Sequence, residues 1–125
     1  GNVLRKTTTG LTTVVSLLLA GQAHAADEQW QDGVMFVEDK LTDLQGHTAV
    51  KIKFGLQPGK CAGEFTAPDE WLKMTKGKIV FSFPGKDDVV RSAGDHWMAT
   101  AGTKVTLCNK GNQAAVLVGV QIRKN

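Results

Sequence analysis

The chain has 125 residues, with 15 lysines and arginines against 12 acidic residues. A chain of this length is sufficient for one small domain with a single modest core. Its basic and acidic residues are interspersed, so no basic tract indicates binding to nucleic acid or to an anionic membrane surface. No repeat, low-complexity tract or linker divides the sequence, which predicts one domain.

The first residues have the pattern of a secretory signal peptide. Arg5 and Lys6 form a positive region, residues 11–20 form an apolar run, and Ala23-His24-Ala25 is a small-x-small cleavage signal. The apolar run is too short to span a bilayer comfortably, which disfavours a transmembrane anchor; an amphipathic helix is the other alternative. We predict a signal peptide over residues 1–26 and a periplasmic or secreted domain over residues 27–125, without membrane contact after cleavage.

Removal of this leader affects both the charge and the expected state of the cysteines. Thirteen bases and twelve acids remain, a net charge of about +1. Cys61 and Cys108 are the only cysteines, and an oxidising compartment favours a disulfide between them. No Cys-x-x-Cys pair or histidine cluster indicates zinc binding or redox catalysis.

The remaining sequence is typical of short strands separated by glycine and proline turns. The clearest strand is 48–56, where Val50, Ile52 and Phe54 alternate with Lys51 and Lys53. Strands at intervals of about ten residues predict an all-β sandwich or barrel. Helical periodicity outside the leader is limited to residues 27–31. The other predicted strands cover 34–38, a piece through Cys61, 70–75, 78–83, 88–92, two pieces around the turn at Ala101-Gly102 (the second 103–108), and 114–122.

Two spacings carry a resemblance to a known family. From Gly94, five residues lead to Thr100-Ala101-Gly102, two more to Val105, and three more to Asn109. Glu70 precedes Gly77 by six residues, and a Pro58-Gly59 turn lies upstream. These spacings resemble the two motifs of the cupins, small β-barrel proteins, over about residues 48–122. The resemblance implies a small antiparallel β-barrel or jelly-roll sandwich, and homodimers through edge strands are an expectation by analogy.

The histidines with which cupins usually hold a divalent metal are missing. Val105 stands at the histidine position of the second motif. The first motif is one residue too short, so two alignments remain open. Counting forward from Gly59 places Phe65 and Ala67 at its histidine positions, whereas counting back from Glu70 places Glu64 and Thr66 there.

The predicted disulfide favours the second alignment, because a cross-strand bridge needs both cysteines on one face. With Val105 pointing inward, Cys108 points outward, and so does Cys61 if Glu64 points inward. The first alignment would need a β-bulge. Since these strands are antiparallel neighbours in the resembled fold, we predict Glu64 opposite Val105. The predicted counterparts of the metal site are Glu64, Thr66, Glu70 and Val105.

Two functional hypotheses follow. The first is an exported, cofactor-free cupin-like domain that binds a small molecule or a protein partner without catalysis. The second is a cupin-type isomerase, lyase or dioxygenase acting on a small acid or sugar, with an atypical divalent metal on Glu64, Glu70 and His96. The missing histidines favour the first. The candidate cavity residues are Glu64, Thr66, Glu70, Leu72, Val105, Trp71 and Trp97, with core packing the alternative role for the tryptophans and solvent exposure for His96.

Overall fold

The computed structural model of the chain describes residues 28–125, and the predicted signal peptide lies outside this range. All regular elements of the described residues are β-strands, which confirms the all-β prediction. Residues 28–125 therefore contain no helix that could cross a membrane. The strands are β1 Trp30–Gln31, β2 Val34–Leu44, β3 His47–Leu56, β4 Cys61–Thr66, β5 Asp69–Lys76, β6 Lys78–Ser82, β7 Val89–Ser92, β8 His96–Ala99, β9 Lys104–Cys108 and β10 Ala115–Lys124.

The strands form two antiparallel sheets that face each other. The larger sheet has the order β1-β2-β3-β10-β5-β8, and the smaller has the order β4-β9-β6-β7. The two sheets are separate hydrogen-bonded ladders, so the architecture is the predicted jelly-roll sandwich rather than a closed barrel. Short connections repeatedly carry the chain from one sheet to the other, which brings residues distant in sequence together between the sheets.

The core fills the space between the sheets. On β3 the predicted alternation is observed, since Val50, Ile52, Phe54 and Leu56 are buried. Apolar side chains from the other strands complete the core: Leu72, Met74, Ile79, Phe81, Leu107, Ala115 and Leu117. Together they bury the apolar surface that stabilises a domain of this size.

The residues at the start of the described chain form an edge strand, β1, and not a helix. Trp30 packs against Gly55 on the outer face of the larger sheet, where a Cβ would lie only 2.6 Å from its ring. Glu28 forms an ion pair with Lys53 over 2.6 Å on the same face. These contacts hold the segment against the sheet, and the hairpin pairing of β1 with β2 explains the extended conformation.

The pairing of β4 with β9 differs from the prediction in one respect. Cys61 lies opposite Cys108 and is bonded to it, which confirms the predicted disulfide. Phe65 lies opposite Val105, so the predicted placement of Glu64 there is wrong. Between these two pairs, two residues of β4 (63 and 64) stand against one residue of β9, which is a β-bulge.

Gly63 makes this bulge possible. Its φ of +131° is one that residues with a side chain rarely adopt. A Cβ at this position would also approach the Val105 carbonyl oxygen and the Thr106 Cα to 3.0 Å. The bulge reverses the sheet face toward which each following β4 side chain points, so the side chain of Phe65 points into the interior.

Candidate ligand cavity

A cavity of about 850 Å³ lies between the two sheets. This volume falls in the usual range for small-molecule sites. Its aromatic lining consists of Phe36, Phe54, Phe65, Phe81, Phe83 and Trp97. Aliphatic lining residues include Val34, Ile52, Leu72, Val105, Leu107 and Leu117, and polar ones include Thr66, Glu70, Arg91, Thr103, Gln121 and Arg123.

Two aromatic pairs form much of the wall. Phe54 of β3 and Phe65 of β4 meet edge to face, with ring centroids 6.3 Å apart. Phe81 of β6 and Trp97 of β8 do the same at 5.2 Å. Each pair joins a strand of one sheet to a strand of the other, and such pairs have defined geometry. The cavity wall is therefore apolar and held in place from both sheets.

A chain of polar side chains crosses the larger sheet on the cavity side. Gln121 Nε2 donates to Glu70 Oε1 over 2.9 Å. Gln121 Oε1 accepts from Arg123 Nε at 2.9 Å and from its Nη2 at 2.7 Å. Arg123 Nη2 also pairs with Glu38 Oε1 at 2.5 Å. The four residues come from β2, β5 and β10, and β3 lies between β2 and β10, so this chain depends on the pairing of four strands.

Glu70 is a buried carboxyl group on the cavity wall, with 8% of its surface exposed. Burial raises the pKa of Glu70, while the hydrogen bond from Gln121 and the positive charge of Arg123 act in the opposite direction. The burial effect is the largest of the three. Glu70 is therefore more readily neutral than an exposed glutamate and can then donate a hydrogen bond.

Arg91 of β7 supplies a cationic group to the part of the cavity lining that comes from the smaller sheet. Its guanidinium carbon lies 4.5 Å from the centroid of the Trp97 ring, which is a cation–π contact. Within residues 28–125, the ion pairs involve Lys40, Lys53 and Arg123, and none involves Arg91. Its charge therefore faces the cavity without a carboxylate partner from the described chain.

Five of the residues predicted from the sequence line this cavity. Glu70, Leu72 and Trp97 come from the larger sheet and project inward from β5 and β8. Val105 lines it from β9, and Thr66 lies exposed at the end of β4. The structure thus brings together Thr66, Glu70, Leu72, Trp97 and Val105.

Glu64, Trp71 and His96 lie elsewhere. Glu64 is exposed in the β4 bulge and does not line the cavity. Trp71 follows Glu70 on β5 and so projects from the opposite face of the sheet, where its ring centroid lies 6.4 Å from that of His96. The alternative metal set of Glu64, Glu70 and His96 is therefore not brought together, because its members are on different faces and strands.

The residues at the motif positions do not fit the metal that the cupin resemblance implies. With Phe65 opposite Val105, the forward alignment applies, and Phe65, Ala67 and Val105 stand where the histidines would be. None of these side chains has a donor atom for a metal, which leaves only Glu70. Among the described residues, no group of three or more histidines, cysteines or carboxylates is placed to hold a metal ion.

Arg91, Gln121 and Arg123 line the cavity but were not among the residues predicted from the sequence. A signal was present for Gln121, since a polar residue interrupts the apolar run of 114–122 at an inward position. Arg91 carries no comparable signal, because its contact with Trp97 depends on how the two sheets stack. Phe65 stands at a histidine position in the forward alignment, which the predicted disulfide disfavoured.

The sequence matches no known family model. Nor does it match any curated protein significantly. Solved structures, in contrast, resemble the fold described above. A cupin superfamily protein from Desulfitobacterium hafniense has 14% identity and a TM-score of 0.58, with 78% of this chain and 84% of that chain covered.

Two further structures show the same relationship. A predicted oxalate decarboxylase from Thermotoga maritima has 23% identity and a TM-score of 0.55, covering 74% of this chain and 85% of that one. An RmlC-like cupin family protein with a double-stranded β-helix fold, from Methanocaldococcus jannaschii, has 14% identity and a TM-score of 0.62, covering 83% and 93%. At these identities the shared feature is the fold, so the chain has the cupin fold.

Proposed function

We propose that this cupin-fold chain is an exported binding protein whose cavity takes a small, largely apolar molecule without metal chemistry. The observation that carries the proposal is the cavity itself. It has a volume of about 850 Å³ and aromatic side chains on both walls. Phe65, Ala67 and Val105 replace polar ligands with apolar surface at the positions that would face a metal.

The hydrogen-bonded network around Glu70 supports binding rather than catalysis. Gln121, Arg123 and Glu38 hold one another and Glu70 in hydrogen bonds and an ion pair. Their groups are largely satisfied, as is usual for a structural network. Among residues 28–125, no second carboxyl group lines the cavity beside Glu70, which leaves general acid–base catalysis by a carboxylate pair without support.

Binding is tested with N-phenyl-1-naphthylamine, a neutral apolar dye whose fluorescence rises in apolar surroundings. We expect saturable binding to the purified protein, weakened several-fold by Val105→Phe, which fills the cavity from β9. Val90→Phe is the matched control, because Val90 is 53% exposed on the outer face of the smaller sheet. Ala99→Phe provides a second filling variant from the larger sheet.

Each outcome of this titration bears on the proposal. Absence of dye binding by the wild type would overturn it, as would equal binding by both filling variants and the control. Thermal unfolding of each variant identifies any that fail to fold. Such a variant is set aside in favour of the other filling variant.

Export is supported by the leader pattern of residues 1–26 and by the Cys61–Cys108 disulfide, which is compatible with an oxidising compartment. Expression of the 125-residue chain in a Gram-negative host with an initiating methionine tests it. We expect a periplasmic product whose intact mass corresponds to cleavage near residue 26. An unprocessed cytoplasmic product would contradict export and leave the binding proposal to the dye titration.

A further inference from the structure

The charges that line the cavity are unevenly compensated. In the part of the chain that the structure describes, its ionisable lining residues are Glu70, Arg91 and Arg123. Arg123 is paired with Glu38 and with the amide oxygen of Gln121. Glu70 is buried and is held by an amide rather than by a cation. The guanidinium of Arg91 is therefore the positive charge of the lining that the described residues leave uncompensated.

The position of Arg91 favours contact with a ligand. It lies opposite the fully buried Ile79 in the β6–β7 pairing, on the cavity side of the smaller sheet. The Trp97 ring across the cavity holds its guanidinium at 4.5 Å. The ion pairs of residues 28–125 leave the N–H donors of Arg91 without a carboxylate partner, so these donors can meet an acceptor on a ligand. Arginine remains charged at any physiological pH, so its preference for an anionic ligand does not change over this range.

We infer that the cavity selects organic molecules with one carboxylate and an apolar, preferably aromatic, body, and that Arg91 is the residue that determines this selectivity. The carboxylate accepts hydrogen bonds from the guanidinium edge. The body lies against Phe54, Phe65, Phe81 and Trp97. The inference rests on the proposed function, because it requires that the cavity bind a small molecule.

The geometry also explains why one carboxylate is expected rather than two. A second anionic group on the far side of the cavity would approach Glu70, and its nearest cation, Arg123, is already paired with Glu38. Burying a second charge without a partner is unfavourable. A neutral polar group at that end could instead share a hydrogen bond with the Glu70 carboxyl group.

The test compares 2-naphthoate with 2-naphthamide, which share the same ring system and differ in charge. Each is titrated at pH 7 against the wild type containing bound N-phenyl-1-naphthylamine, and displacement gives its affinity. We expect naphthoate to bind about tenfold or more tightly, the usual gain from a charge-assisted hydrogen bond. Arg91→Gln is expected to remove this preference, and Arg91→Lys to retain part of it.

Lys73→Gln is the matched control, since it removes one positive charge from an exposed residue of β5 on the outer face of the sheet. It should keep the full preference for naphthoate. Equal affinity of acid and amide for the wild type would overturn the inference alone, provided that the amide binds. A preference that persists in Arg91→Gln, or disappears in Lys73→Gln, would also overturn it.

Failure of the proposed function has a different signature, namely that neither the dye nor either naphthyl compound binds the wild type. If Arg91→Gln does not fold, the decision rests on the wild-type ratio of acid to amide and on Arg91→Lys. A ratio of at least about ten that falls in Arg91→Lys supports the role of Arg91. A ratio near one, or one unchanged in Arg91→Lys, contradicts it.

Discussion

Gln121 and Glu70 lie directly opposite each other on β10 and β5, and their side chains are joined by a hydrogen bond of 2.9 Å. Arg123 fixes the direction of this bond. Its guanidinium can only donate, so the Gln121 oxygen faces Arg123 and the Gln121 amide nitrogen faces Glu70. A buried carboxyl group is thereby coupled to an ion pair at the far end of the network.

This coupling predicts the effect of Gln121→Met on the pKa of Glu70. Methionine has a similar length but cannot donate, so the hydrogen bond that lowers the pKa is lost. We expect the Glu70 pKa to rise above its wild-type value in a titration of the side-chain carboxyl carbon by NMR. Gln113→Met, at an exposed loop position, should leave it unchanged. An unchanged or lower pKa in Gln121→Met would show that the bond has no electrostatic role.

The raised pKa of Glu70 also predicts a pH dependence of stability. A carboxyl group whose folded pKa exceeds its ordinary value of 4.5 stabilises the fold below that pH, and this contribution is lost as pH rises through the folded pKa. Glu70→Gln removes the titration and keeps an oxygen that can accept from Gln121. Relative to the wild type, its free energy of unfolding should therefore increase between pH 4 and pH 8, which means that Glu70→Gln becomes the relatively more stable protein as pH rises.

Urea unfolding of both proteins at the two pH values measures this difference, and contributions of other titrating groups cancel in the comparison. Asp87→Asn is the control, because Asp87 is an exposed carboxylate in the turn before β7. A difference between Glu70→Gln and the wild type that does not change with pH would contradict the prediction.

Asn109, the last residue of the second cupin-like spacing, has a structural role that can be tested. It is 1% exposed, and its Nδ2 donates to the carbonyl oxygens of Leu56 and Gln113 at 2.9 and 2.8 Å. Asn109→Asp replaces the donor with an acceptor and places a charge beside both oxygens. We expect a loss of about 2–5 kcal/mol in the free energy of unfolding. Asn112→Asp, exposed in the same loop, should change it by less than about 0.5 kcal/mol.

Removal of the disulfide should lower the free energy of unfolding by an amount similar to that expected for Asn109→Asp. Cys61 and Cys108 are separated by 47 positions, so the bond restricts a long loop of the unfolded chain. The double variant Cys61→Ser, Cys108→Ser should lose roughly 2–4 kcal/mol in urea unfolding. Adding a thiol reductant should destabilise the wild type and leave the double variant unaffected. Equal stability of the two oxidised proteins would contradict this expectation.

Most strands were predictable because glycine and proline turns separate alternating segments. The main exception is β2, which was predicted over 34–38 and extends to Leu44. Leu41 and Leu44 at its end are exposed, so no apolar face indicates a strand there. Its far half is held by the ladder with β3 across the turn at residues 45–46, an interaction that hydrophobic periodicity does not report.

The candidate site was predictable where it depended only on which side chains of a strand point inward, as for Leu72 and Trp97. It was not predictable where it depended on which residues of neighbouring strands lie opposite each other. The predicted position of Glu64 required a regular β4, and Gly63 alone in the sequence does not reveal that two residues of β4 stand opposite one of β9. The pairing of Gln121 with Glu70 joins residues 51 positions apart and follows only from the order of strands in the sheet.

Because of the extra residue in β4, side chains before and after the bulge alternate between the two faces of the sheet out of phase with each other. Cys61, before the bulge, has the orientation needed for the disulfide to β9, whereas Phe65, after it, has the orientation that places side chains in the cavity. A one-residue deletion at 63–64 would restore a single alternation, so the strand could keep only one of these two orientations. Substitutions at 65–67 can therefore reshape the cavity while the link between the strands stays in place, which makes this segment a natural position for changing ligand preference.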